Sequence, residues 1–176
     1  MIDIKSKKSN SFTLVLFAAY LLALIWLILF KLQFSVPVME GGRIANLIPL
    51  LGSFDGNGMI HFSEIRNNMI VFIPFGIYIC MLKSKWSFAK KVLVTAALTL
   101  AFEMTQFIFA IGRADITDVF SNTLGGVIGI GIYALLFKLM KGRTNKVLNV
   151  IAGVLTASAI LLVVFLLVNH RWIRIR

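Results

Sequence analysis

The 176-residue chain is poor in the residues that most soluble chemistry uses. It has one cysteine, two histidines, three prolines and only seven aspartates and glutamates. A single cysteine excludes a disulfide framework, and two histidines beside it exclude an ordinary zinc cluster. Charged residues make up 14% of the chain, against about 25% in soluble domains. No nucleotide-binding loop, nucleophile elbow or metal-protease motif is present, so neither a metal nor a cofactor is expected. Internal repeats and low-complexity tracts are also missing.

What the chain does have is apolar surface and positive charge. Hydrophobic residues reach 59%, the mean hydropathy is +0.92, and the formal net charge is +11. A disordered chain lacks this much apolar surface. A soluble nucleic-acid-binding domain could carry the charge but could not hide so many apolar side chains. The composition therefore describes an all-α integral membrane protein with no nucleic-acid partner.

A membrane-spanning helix needs roughly 20 mostly apolar residues. About five segments meet this: 12–30, 63–82, 92–111, 116–140 and 147–168. The first carries no charge and is followed by no small-residue cleavage site, so it reads as a retained span. Residues 1–11 then form a basic N-terminus, and 12–176 a single compact bundle with a long outer loop between its first two helices. Basic residues mark cytoplasmic loops. Lys5, Lys7 and Lys8, then Lys83, Lys85, Lys90 and Lys91, then Lys138, Lys141, Arg143 and Lys146 fall in every second connection and so on one side, as five spans with an inner N-terminus require. These regions hold eleven Lys and Arg against Asp3 alone, whereas the outer regions and the spans hold seven against six acids. The positive charge is thus mainly an orientation signal. Arg171, Arg174 and Arg176 then fall outside, against the rule.

The informative residues are polar groups at membrane depth, where an ionisable side chain costs several kcal/mol. Thr95, Thr99, Glu103 and Gln106 share one face of the third helix, which predicts a stripe turned into the bundle. Interhelical hydrogen bonds account for Gln106 and the threonines. Glu103 points to function, because a carboxyl must be paired or protonated to persist there. Asp115 reads as the N-cap of the fourth helix, with Asp118 in its first turn and Asn122 one turn below. Gly125 and Gly129, with Gly126 beside them, continue that face and predict close packing against the third helix. Arg113 is the natural counter-charge and Arg43 a second candidate. Asn46 and Pro49 place a bent segment over the same opening. Asn68 lies at the top of the second helix, which Pro74 and Gly76 are expected to break or kink lower down. All of these fall on the outer side, which predicts one outward-facing polar pocket.

These residues carry a resemblance. Ile25-Trp-Leu-Ile-Leu-Phe-Lys-Leu-Gln33, Arg43-Ile-Ala-Asn46-Leu-Ile-Pro49 and Asn68-Met-Ile-Val-Phe-Ile-Pro74-Phe-Gly76 occur in order. They precede Phe102-Glu103-Met-Thr-Gln106 and Gly112-Arg-Ala-Asp115-Ile-Thr-Asp118-Val-Phe-Ser-Asn122-Thr-Leu-Gly125-Gly126. The ordered set resembles the VanZ-like family over about residues 12–133. The resemblance implies a bacterial plasma-membrane protein with an accessory role in low-level resistance to teicoplanin and other lipid-bearing glycopeptides. It supplies no mechanism.

Three kinds of mechanism fit the residues. In the first, the pocket binds a membrane lipid, a lipid-linked cell-wall component or the antibiotic's lipid tail, using Arg43, Asn46, Asn68, Gln106, Arg113 and Asn122. In the second, Glu103 is a buried general acid or base assisted by Asp115 or Asp118, acting on a lipid-linked wall precursor. In the third, the chain is a small transporter, which the confinement of the stripe to the outer half disfavours. Binding ranks first. Oligomeric state is not legible.

Overall fold

The computed structural model describes residues 3–30, 44–49 and 62–174, and these are nearly all helical. The helices are α1 (Asp3–Phe30), α2 (Phe62–Leu82), α3 (Phe88–Phe109), α4 (Ile116–Met140) and α5 (Thr144–Arg174). A 3-10 turn at Lys141–Arg143 joins the last two. Four helical stretches are long and apolar enough to cross a membrane: Asn10–Leu29, Phe62–Leu82, Phe88–Phe109 and Ile116–Leu166, the last running through α4 and α5.

Two short strands interrupt the expected all-helical order. β1 (Ile44–Asn46) and β2 (Arg113–Asp115) pair in parallel, with Ile44 opposite Arg113 and Asn46 opposite Asp115. The pairing satisfies backbone groups that would otherwise lie open beside an apolar bundle.

The tightest helix contact joins α2 to α4, and glycine is its cause. A Cβ on Gly125 would strike the Met69 carbonyl, one on Gly129 the Ile73 carbonyl, and one on Gly76 the Gly126 carbonyl. The registers 69–125 and 73–129 advance together, so α2 and α4 run parallel. This corrects the expectation that Gly125 and Gly129 face α3. Successive helical residues point about 100° apart, so Gly125 and Gly129 meet α2 while Gly126 turns to Thr95 on α3. Thr95 opposite Gly126 and Thr99 opposite Asn122 make α3 antiparallel to α4.

Pro74 does not break α2, which is continuous from Phe62 to Leu82. The proline withholds the N–H that would pair with the Ile70 carbonyl, and on the next residue Tyr20 of α1 donates to the Val71 carbonyl at 2.7 Å. Around this point Phe17 and Tyr20 of α1 pack on Phe75 and Tyr78 of α2, with tilted rings whose centroids lie 5.3–5.8 Å apart. Phe72, Phe75, Ile79, Phe102 and Ile130 form the buried core between α2, α3 and α4. α5 docks on the first half of α1, where the buried Thr13 and Asn149 share hydrogen bonds of 2.9 and 3.1 Å. Beyond that point its large side chains from Ile160 to Leu166 are exposed, a surface suited to lipid.

Candidate functional site

The polar stripe of α3 is buried in full: Thr95, Thr99, Glu103 and Gln106 all lie inside the bundle. Leu100, Met104, Phe107 and Ile108, on the other side of the helix, are exposed. The lower end of the stripe is closed by packing. Thr95 donates back to the Lys91 carbonyl of its own helix at 2.9 Å. Thr99 accepts from Asn122 Nδ2 at 2.8 Å. The upper end opens into a site.

The chain leaves α3 through a sharp turn. Ala110 adopts the left-handed conformation (φ 52°), and its N–H reaches the carbonyls of Gln106 and Phe107. Ile111 N–H also donates to the Gln106 carbonyl. Such a cap satisfies the last carbonyls of a helix and reverses the chain. It brings β2 back over the top of α3, so the backbone N–H of Asp115 donates to Glu103 Oε2 at 2.8 Å. Asp115 also caps α4, its Oδ1 accepting from Thr117 N–H at 2.7 Å. Its other oxygen accepts from Asn46 Nδ2 at 2.9 Å. One carboxylate thus joins the first loop, the α3–α4 turn and the start of α4.

Beside this knot lies a cavity of about 510 Å³, within the range of ligand sites. Glu103, Gln106, Arg113, Asp115, Asp118 and Asn122 line one wall. Ser63, Glu64, Asn67 and Asn68 of α2 line the opposite wall, with Leu27 and Ile28 of α1 completing it. Gln106 Nε2 donates to the Ile28 carbonyl at 3.1 Å. Its Oε1 is buried with no hydrogen-bond partner, and so is Asn122 Oδ1. A buried acceptor left unpaired is costly and marks a place where a donor would gain. A smaller, almost wholly apolar hollow of about 230 Å³ lies on the other side of the same wall. It is formed by Leu47, Leu100, Met104, Phe107, Ile108 and Val119, and shares Glu103 and Asp115 with the polar cavity.

Of the residues expected at the site, Asn68, Glu103, Gln106, Arg113, Asp115, Asp118 and Asn122 line the cavity together. Asn46 reaches it through Asp115. Pro49 is exposed and not part of the lining. Arg43 lies outside the described residues. Gly76, Gly125 and Gly129 serve the α2–α4 contact. Ser63, Glu64 and Asn67 were not singled out by sequence reasoning. Their signal was the polar first turn of α2, whose spacing places Ser63, Asn67 and Val71 on one face. Among the described residues no group of His, Cys, Asp or Glu has the arrangement to hold a metal ion.

Fold and cavity together define a helical membrane protein with an acid-rich polar pocket at one end of the bundle. The VanZ/LLP1 family model matches residues 17–138, and the chain belongs to that family. It is 40% identical over 162 residues to Protein VanZ of Enterococcus faecium, covering 91% of this chain and 93% of that protein. No solved structure matches it.

Proposed function

We propose that the chain is an accessory plasma-membrane protein that lowers susceptibility to teicoplanin and other lipid-bearing glycopeptides. It acts by binding a lipid-bearing component of the cell envelope, or the antibiotic's own lipid tail, in the polar cavity. The observation that carries this reading is the cavity itself: a ligand-sized polar space, with the buried Glu103, Gln106 and Asn122 in its wall, next to an apolar hollow. In the proposed topology five spans form one membrane domain, residues 1–11 lie inside, and the cavity and the long first loop face outward. The basic loops support that orientation. So does the pair of cations over Trp86, whose ring lies 4.6 Å from Lys90 Nζ and 5.4 Å from Lys83 Nζ in the α2–α3 turn. A tryptophan with lysines suits a membrane interface.

The test is resistance in a sensitive host. Asn68→Trp, which fills the cavity, is expected to abolish the increase in inhibitory concentration while the protein still accumulates. Full resistance with the cavity filled would sink the binding reading. Glu103→Gln is expected to keep at least half of the increase, because the amide still accepts from Asp115 N–H.

The alternative with an observation behind it is catalysis by Glu103 with Asp115 or Asp118 on a lipid-linked precursor. Burial of Glu103 at 5% exposure favours it. Complete loss of resistance in a well-expressed Glu103→Gln protein would select it over binding. Transport ranks last, since glycine packing closes the bundle below Asn122.

A further inference from the structure

The chain as a whole is strongly basic, but the cavity is not. Four of the seven acids in the sequence line it, Glu64, Glu103, Asp115 and Asp118, against one cation among its described residues, Arg113. With all five ionised these described residues carry a net charge of −3 inside a protein of +11. Acids alone do not make a site. The independent sign is the pair of unpartnered oxygens. Gln106 is 5% exposed and Asn122 1% exposed; both line the cavity, and each has one buried acceptor with no partner. The bond from Gln106 Nε2 to the Ile28 carbonyl fixes which end of that amide is the acceptor. That vacancy is therefore for a hydrogen-bond donor, and at Asn122, whose Nδ2 is bonded to Thr99, the unpaired end is likewise the oxygen.

The neighbouring apolar hollow adds a second requirement. Glu103 and Asp115 form the partition between polar cavity and lipid-facing groove. A molecule that straddles this partition has a donor-bearing head on one side and a hydrocarbon chain on the other. An anionic head would meet four carboxylates at close range in a medium of low dielectric, where like charges repel strongly.

We infer that the cavity selects an amphiphile of the outer leaflet whose head group is a primary ammonium, and rejects one headed by a phosphate. This rests on the reading that the cavity is a binding site, and it specifies the chemistry of the occupant. The ammonium supplies three donors and no acceptor. That matches the carboxylates and the two free carbonyl oxygens. The chain enters from the lipid along Met104 and Phe107.

The experiment uses full-length Asn67→Cys protein in zwitterionic lipid nanodiscs. The native Cys80 is buried, so N-ethylmaleimide reports on the new thiol in the cavity wall. Labelling rates are compared with dodecylamine, dodecyl phosphate and the short soluble n-butylamine. Dodecylamine is expected to slow labelling at least fivefold, with the other two changing it less than twofold. In Glu64→Gln, which removes a rim charge, the dodecylamine effect is expected to fall at least threefold. Equal or better protection by dodecyl phosphate would overturn the head-group assignment and leave the cavity standing as a site. Equal protection by butylamine would overturn the requirement for a chain. Undiminished protection in Glu64→Gln would assign the effect to bilayer charge and overturn the proposal. Protection by none of the three overturns both the inference and the reading beneath it.

Discussion

The backbone N–H of Asp115 donates to Glu103 Oε2 at 2.8 Å, so a peptide group twelve residues away holds the most deeply buried acid among the described residues. The bond spans the end of one helix and the start of the next. It makes Glu103 part of the turn that shapes the cavity as well as part of its lining.

Glu103→Ala is therefore expected to cost stability apart from any effect on resistance. It strips the acceptor from Asp115 N–H, and a buried donor left unpaired costs about 1–3 kcal/mol. Glu103→Gln keeps an acceptor and is expected to cost less than about 1 kcal/mol. Thermal unfolding of the two variants in detergent separates them. Equal melting temperatures would show that the bond does not hold the turn.

The α2–α4 contact gives a sharper expectation. Gly125→Ala and Gly129→Ala each drive a methyl into a backbone carbonyl that cannot swing aside, so overpacking of about 1–3 kcal/mol follows. Gly131→Ala meets nothing within 4 Å, and is expected to be neutral or to stabilise by up to about 1 kcal/mol through helix propensity. Thermal unfolding of all three checks the order. A destabilised Gly131→Ala beside a stable Gly125→Ala would contradict the packing described.

Thr99 and Asn122 form a buried pair, and their variants are expected not to add. Asn122→Leu alone removes the partner of the Thr99 hydroxyl, whereas Thr99→Val with Asn122→Leu removes both polar groups at similar shape, which is often nearly neutral. The double variant is expected to unfold at or above the temperature of Asn122→Leu. It should still lose protection by dodecylamine, because one of the two free acceptors has gone. A double variant less stable than either single one would rule out this account.

The proposed orientation has a direct check in intact cells. A cysteine replacing Gly56 in the first loop is expected to react with a membrane-impermeant maleimide without permeabilisation. One replacing Gly142 in the α4–α5 turn is expected to react only after it. The reverse pattern would turn the protein over and put the cavity on the cytoplasmic side.

Much of this was legible in the sequence for a simple reason. In lipid a polar side chain must turn inward, so the spacing of Thr95, Thr99, Glu103 and Gln106 was enough to give the buried face of α3. Asp115 as a helix cap was legible from local chemistry alone. Two features were not. Strands of three residues have no alternation to read, and the pairing of Ile44–Asn46 with Arg113–Asp115 crosses two helices. The partner of the glycines was misassigned because a run of small residues says that a helix can approach, not which one. Pro74 reads as a break or a kink of α2, and the helix runs through it; the Tyr20 hydroxyl that bonds the Val71 carbonyl beside it comes from another helix and is invisible in the local sequence.

The parallel pairing of β1 with β2 also sets an order of assembly. Sixty-nine residues separate Asn46 from its partner Asp115. At about 5–20 residues per second, a nascent chain waits several seconds between making the first and making the second. During that interval α1, α2 and α3 can all be inserted, but the cavity has neither its cap nor its Asp115 tether. The cavity is thus completed only when the chain returns for α4, and any product that stops before Asp115 has the stripe without the pocket.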